Sequence, residues 1–81
     1  MDDLIPVHMP KYGMTMEEGV IVEWMVEEGH SVTEGQPLVI IETEKVETEL
    51  ESPAAGTIVE LSFGEGDEVP VGDIIAYIEK S

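Results

Sequence analysis

Three lysines, two histidines and nineteen carboxylates are the groups with which this 81-residue chain could do chemistry; it has no cysteine and no arginine. Without cysteine there is no disulfide, no thiolate metal site and no thiol nucleophile, which fits a reducing compartment. His8 and His30 stand 22 residues apart, in no metal-ligand spacing. No Asp-rich loop has calcium-binding spacing. Carboxylate pairs do acid–base work where burial splits their pKa values, and the glutamates here alternate outward. No metal ligand and no catalytic residue is expected. The lysines remain. Lys80 lies near the last residue and Lys11 precedes Tyr12-Gly13-Met14; both read as surface. Lys45 has Glu42, Glu44, Glu47 and Glu49 close in sequence. A catalytic amine needs a lowered pKa, whereas these acids favour the charged form. On the residues alone, Lys45 is either a solvated surface lysine or a site of covalent modification.

The elements that hold Lys45 follow from an internal repeat. Residues 19–42 and 56–79 superpose at an offset of 37 without a gap, with ten of 24 positions identical. Two copies are too few for a solenoid. They suit a closed body with approximate two-fold symmetry, each half giving strands to both of two packed sheets. In each half an apolar run (20–26 or 57–63) leads to a Gly-centred turn at Gly29 or Gly66. A short segment at Val32 or Val69 follows, then a second glycine, Gly35 or Gly72, and a last run (38–43 or 74–78). Glycine serves turns that need positive φ. The expected fold is all-β: a single domain over 1–81, a flattened barrel or sandwich of two antiparallel sheets.

Between the repeats, residues 46–51 alternate strictly, with Val46, Thr48 and Leu50 expected inward and Glu47, Glu49 and Glu51 outward. The preceding strand leaves Glu44 and Lys45 between the two. A β-hairpin over residues 38–51 therefore carries Lys45 at its tip. The tip lacks the Asn-Gly or Asp-Gly of the favoured primed turns, and a type I turn is expected. Trp24, Phe63 and Tyr77 read as core or near-core residues. His30 stands where the second half has Asp67, so it is expected to be exposed.

The net charge is −16. Nothing here forms a phosphate-binding patch, so nucleic acid is not an expected partner, nor is an anionic membrane. Like charge on every copy favours a monomer. No stretch is apolar long enough to span a bilayer as a helix, and the acidic opening MDDLIPVHMPK does not read as a signal peptide.

Further residues carry a family resemblance. They are Met9-Pro10-Lys11, residues 13–19 (GMTMEEG), Ile21-Val22-Glu23-Trp24, Glu27-Glu28-Gly29, Val32, Gly35, Glu42-Thr43-Glu44-Lys45-Val46, Glu51-Ser52-Pro53, Ala55-Gly56, Glu65-Gly66-Asp67, Val69, Val71-Gly72 and Ile78. With them, residues 5–79 resemble the lipoyl domain of the acyltransferase component of 2-oxo acid and acetoin dehydrogenase complexes. The resemblance implies the family's barrel-sandwich fold, which agrees with the two-sheet body expected from the repeat. The family usually has Asp-Lys-Ala where this chain has Glu44-Lys45-Val46. Biotin-carrying relatives typically have Met on both sides of the lysine, so the pair Glu44 and Val46 favours lipoate.

The resemblance implies lipoic acid in amide linkage to Lys45, with Glu44 and Val46 flanking it, attached by a lipoate ligase or lipoyl transferase. It implies three partner activities: a thiamine-diphosphate-dependent dehydrogenase, an acyltransferase core and a flavin-dependent dihydrolipoamide dehydrogenase. It implies that the chain has no turnover alone and is part of a larger dihydrolipoamide acyltransferase. Partner recognition is expected from Glu42, Glu47 and Glu49 and from the loop with Tyr12, Gly13 and Met14, although Tyr12 and Met14 equally suit core positions. The expected location is the cytoplasm of a prokaryote or the mitochondrial matrix of a eukaryote. Two alternatives are a biotin carrier domain of a carboxylase and an unmodified interaction module of the same fold.

Overall fold

Short runs rich in Val and Ile, which suit a pleated half-buried surface, form eight strands. The computed structural model describes residues 4–11, 14, 16–44 and 46–80, and among these there is no helix. The strands are β1 (Leu4–His8), β2 (Glu18–Trp24), β3 (Ser31–Val32), β4 (Pro37–Glu42), β5 (Glu47–Glu51), β6 (Gly56–Leu61), β7 (Glu68–Pro70) and β8 (Ile74–Lys80). They make two four-stranded antiparallel sheets, ordered β1-β8-β6-β3 and β5-β4-β2-β7. Prolines stand where a missing amide is tolerated: Pro6 and Pro70 in edge strands and Pro37 at the first position of β4.

The repeat is realised strand by strand. Adding 37 carries β2, β3 and β4 onto β6, β7 and β8. Each half gives two strands to one sheet and the third to the other. Both halves carry a bulge at the same place, between Ile21 and Glu23 and between Ile58 and Glu60. The extra residues, Val22 and Val59, are turned outward, which is why two apolar positions in the runs are exposed. The turn glycines match as well. Gly29, Gly35, Gly66 and Gly72 have φ of 94°, 88°, 90° and 95°, a region closed to most side chains.

Two expectations need adjustment. The first runs of each half end as strands at Trp24 and Leu61, short of 26 and 63. There the chain turns toward the other sheet, where the Gly29 amide donates to Ile58 O (2.7 Å) and the Gly66 amide to Ile21 O (2.6 Å). Val46 does not face inward: it is 51% exposed and precedes β5, because it closes the hairpin turn. Outside the repeat, β1 pairs with β8 at the edge of its sheet.

The core lies between the sheets. Ile21, Leu38, Val39, Ile41, Ile58, Val69, Ile75, Ala76 and Ile78 are fully buried, with Met9 nearly so. Each buried Ile, Leu or Val contributes about 1.5–3 kcal/mol. Trp24 and Phe63 pack against this cluster, and the Trp24 indole N–H donates to Phe63 O at 2.9 Å. Tyr77 is half-buried. Gly56 has no room for a side chain: a Cβ there would meet the Glu79 carbonyl oxygen.

The topology separates two poles. β4 runs toward the hairpin tip, so its start at Pro37 is at the far end. Residues 33–36 alone link β3 to that start, so β3 lies at the far end as well. Val32 pairs with Gly56 and Gly56 with Lys80, while Leu4 pairs with Glu79. Leu4 and Lys80 therefore lie at the pole opposite the tip. Along the strands they occupy the two-fold counterpart of the hairpin, Leu4·Glu79 answering Glu47·Glu42.

Candidate functional site at the hairpin tip

β4 and β5 hold the tip through a register that runs out to its last pair, Glu42 opposite Glu47. Val39 and Ile41 of β4 are fully buried, which anchors the hairpin base on the core. Beyond that pair, Thr43 faces Val46 across the turn. The Thr43 amide donates to Val46 O at 2.8 Å, and the Val46 amide donates to Thr43 Oγ1 at 3.2 Å. The Thr43 hydroxyl in turn donates to Val46 O at 3.2 Å. Glu44 and Lys45 are the two residues between. Lys45 lies outside the described residues, and with it the expected turn type.

The surroundings of the tip are acidic and open. Glu42, Glu44, Glu47 and Glu49 are all exposed, and Thr43 is half-buried. β2 enters its sheet beside the tip, Val20 opposite Glu42, and β7 follows with Glu18 opposite Pro70 and Val20 opposite Glu68. A side-chain hydrogen bond with Glu68, reinforced by the Glu68 charge and then by slight burial and Glu17, holds the Glu18 carboxyl above the ordinary carboxylate value. This pairing is not apparent in the sequence, where residues 18 and 68 stand 50 positions apart.

The loop between β1 and β2 returns to the same pole. Met16 packs with Met9 and Ile41 around Gly19, at the start of β2. Met14 is 93% exposed, so of its two expected placements the surface one holds. Tyr12 and Gly13 lie outside the described residues. Lys11 and Lys80 are exposed, in agreement with their surface reading. His30 is exposed and accepts the Glu27 amide on Nδ1 at 3.1 Å, the role its counterpart Asp67 plays for the Gly64 amide at 2.8 Å. His30 is thus a turn cap.

A hairpin on which Glu44 and Val46 are both exposed can hold a group on the residue between them away from the protein body and give it freedom to move. That geometry, on a two-fold body of eight strands among the described residues, suits a carrier domain. The chain belongs to the biotin/lipoyl family: the family model described as biotin-requiring enzyme matches residues 5–78. Within it, this is a lipoyl domain. The solution structure of the lipoyl domain of the 2-oxoglutarate dehydrogenase complex from Azotobacter vinelandii superposes with a TM-score of 0.77 at 29% identity, covering 95% of this chain and 99% of that one.

The chain is 40% identical over 74 residues to the dihydrolipoyllysine-residue acetyltransferase component of the acetoin cleaving system of Bacillus subtilis. That match covers 91% of this chain and 19% of that protein. It is 43% identical over 76 residues to the corresponding component of the pyruvate dehydrogenase complex of Mycobacterium bovis, covering 94% and 14%. The chain thus spans less than a fifth of the length of these relatives. Kluyveromyces lactis urea carboxylase shares the fold, with a TM-score of 0.81 at 24% identity over 96% of this chain and 6% of that one.

Proposed function

We propose that Lys45 carries lipoic acid in amide linkage and that the domain delivers this arm between the active sites of a dehydrogenase complex. The observation that carries the reading is the two-residue tip closed by Thr43 and Val46, with Glu44 and Val46 exposed on either side of Lys45. An exposed tip fits a group that must swing into other proteins. When bound, the lipoyl group supplies a dithiolane that accepts and releases an acyl group and two electrons. The chain's own residues supply position: a short anchored hairpin raises the effective concentration of the arm at each partner.

The parent protein is proposed to be a dihydrolipoamide acyltransferase. Its partners are a thiamine-diphosphate-dependent dehydrogenase, the acyltransferase core, a flavin-dependent dihydrolipoamide dehydrogenase and a lipoate ligase or lipoyl transferase. Glu42, Glu47 and Glu49 form the acidic handle for a basic rim on the dehydrogenase, and Tyr12, Gly13 and Met14 add recognition contacts. Modification removes one lysine cation, taking the formal net charge from −16 to −17. The domain is proposed to be a monomer, in the cytoplasm of a prokaryote or the mitochondrial matrix of a eukaryote.

The family model's description, biotin-requiring enzyme, supports a second reading, a biotin carrier. Intact mass separates the two. Incubation with lipoate ligase, ATP and lipoic acid is expected to add one lipoyl-amide increment to the wild type and none to Lys45→Arg. No increment on the folded wild type, with one from biotin ligase and biotin, would reverse the assignment.

A further inference from the structure

The tip has an unusual problem. Thr43 and Val46 are bonded across the tip with only Glu44 and Lys45 between them in sequence, and these are not the Asn-Gly or Asp-Gly that two-residue hairpin turns favour. Glycine with positive φ makes the other turns of the repeat, and no non-glycine residue among those described has positive φ. The repeat offers no help here. Its identities continue through Ile41/Ile78 and Glu42/Glu79 and stop at Thr43, whose counterpart is Lys80. The first residue past the conserved pair is thus the one whose side chain crosses the turn.

We infer that Thr43 is a positioning residue for the modification of Lys45. The inference rests on the lipoyl reading above. The Thr43 hydroxyl accepts the Val46 amide and donates to Val46 O, while the Thr43 amide donates to that same oxygen. Both polar backbone atoms of Val46 are therefore tied to Thr43. A serine or threonine oxygen satisfying a nearby amide is a recognised local device for fixing turns. Here it ties together the two residues that flank Glu44 and Lys45 in sequence, although Val46 itself is 51% exposed and gains little from packing.

A modifying enzyme has to receive the lysine in one geometry. It forms the amide as the Lys45 amine attacks the carbonyl of lipoyl-AMP; a C–N bond forms, the bond to AMP breaks, and the ammonium gives up two protons. If only part of the tip population has the receivable geometry, the apparent affinity falls by that fraction. The clamp acts on that fraction, so its loss appears in KM and leaves kcat at saturation unchanged.

The test compares wild type, Thr43→Val and Thr43→Ser with a lipoate ligase, ATP and lipoic acid, following mass against domain concentration. Thr43→Val keeps the shape and removes the hydroxyl. It is expected to raise KM by about two- to tenfold, the range for one net hydrogen bond, with kcat unchanged, while Thr43→Ser restores wild-type values. Exchange of the Val46 amide with solvent is expected to speed up in Thr43→Val and not in Thr43→Ser. Equal KM for wild type and Thr43→Val, failure of Thr43→Ser to restore it, or unchanged Val46 exchange would each overturn the inference. A wild type that accepts no lipoate would instead overturn the lipoyl reading. The exchange measurement, which needs no ligase, would still decide whether Thr43 clamps the tip.

Discussion

The Glu28 carboxylate accepts the backbone amide of Leu61 at 3.0 Å, reaching from the first half of the repeat into the second. Its two-fold counterpart, Glu65, accepts the amide of Trp24 at 3.2 Å. The two bonds tie the end of each half's first strand to the turn of the other half. Each half is thus completed by its partner.

These ties set a first expectation for stability. Glu28→Ala should lower the unfolding free energy by about 1 kcal/mol, the usual net worth of one hydrogen bond, or about 4–8 °C in Tm for a domain of this size. Glu28→Gln removes the same charge but keeps an acceptor oxygen, and should retain more of the stability. Equal Tm values for the two variants would show that charge, not the bond, sets the effect.

Gly19 and Gly56 are repeat partners with different crowding, so alanine should cost them differently. At Gly56 a Cβ would run into the Glu79 backbone, which cannot move aside without parting β6 from β8. At Gly19 it would lie 3.0 Å from Ile41 Cγ2 and Met9 Sδ and 3.2 Å from Met16 Cε, side-chain atoms that give way more readily than a paired backbone. Urea denaturation should show Gly56→Ala losing about 3 kcal/mol and Gly19→Ala about 1 kcal/mol. The reverse order would contradict the packing described here.

The Glu18–Glu68 pair makes a prediction about pH. The hydrogen bond and then the charge of Glu68 hold Glu18 above the ordinary carboxylate value of 4.5. A raised carboxyl pKa means that the folded state holds its proton more tightly than the unfolded one. The pair's contribution is therefore fully present below the unfolded value and is lost as pH rises through the folded one, where two charges face each other. Glu68→Gln should accordingly be more stable than wild type near neutral pH, with the advantage shrinking as the solution is acidified below the ordinary value. Thermal melts across that range measure it; an advantage that grew on acidification would have the wrong sign.

The proposed recognition role of the tip glutamates should respond to salt. Raising ionic strength from about 0.01 M to 0.15 M shortens the screening length from about 30 Å to about 8 Å. Reductive acylation of the lipoylated domain by its dehydrogenase is expected to slow, and a Glu42→Gln/Glu47→Gln variant to depend less on salt. A rate indifferent to ionic strength would remove steering from the account.

Much of this was legible before any coordinates, for a physical reason. Glycines with positive φ and β-branched runs recur at a fixed offset, so the repeat reveals β2–β4 and β6–β8 together with their turns. The alternation of Thr48 and Leu50 with glutamates reveals β5. β1 escaped because its sequence has no second copy to be compared with. The bulges escaped because Ile21-Val22 and Ile58-Val59 read the same whether the second residue packs or is turned out. Glu28 and Glu65 are visible as an identity, but a bond spanning 33 residues cannot be seen from either end. The Thr43 clamp was hidden because a threonine before a turn also suits the last position of a strand.

The placement of Leu4 and Lys80 has a mechanical consequence. β1 and β8 are direct antiparallel neighbours, with Leu4 opposite Glu79. A force pulling Leu4 and Lys80 apart would load their rungs one at a time from the outer pair inward, a peeling geometry that resists poorly, in contrast to shear across a whole sheet. The first rungs to open are at the pole farthest from Glu42 and Glu47, so tension would fray the body from behind while the tip kept its shape.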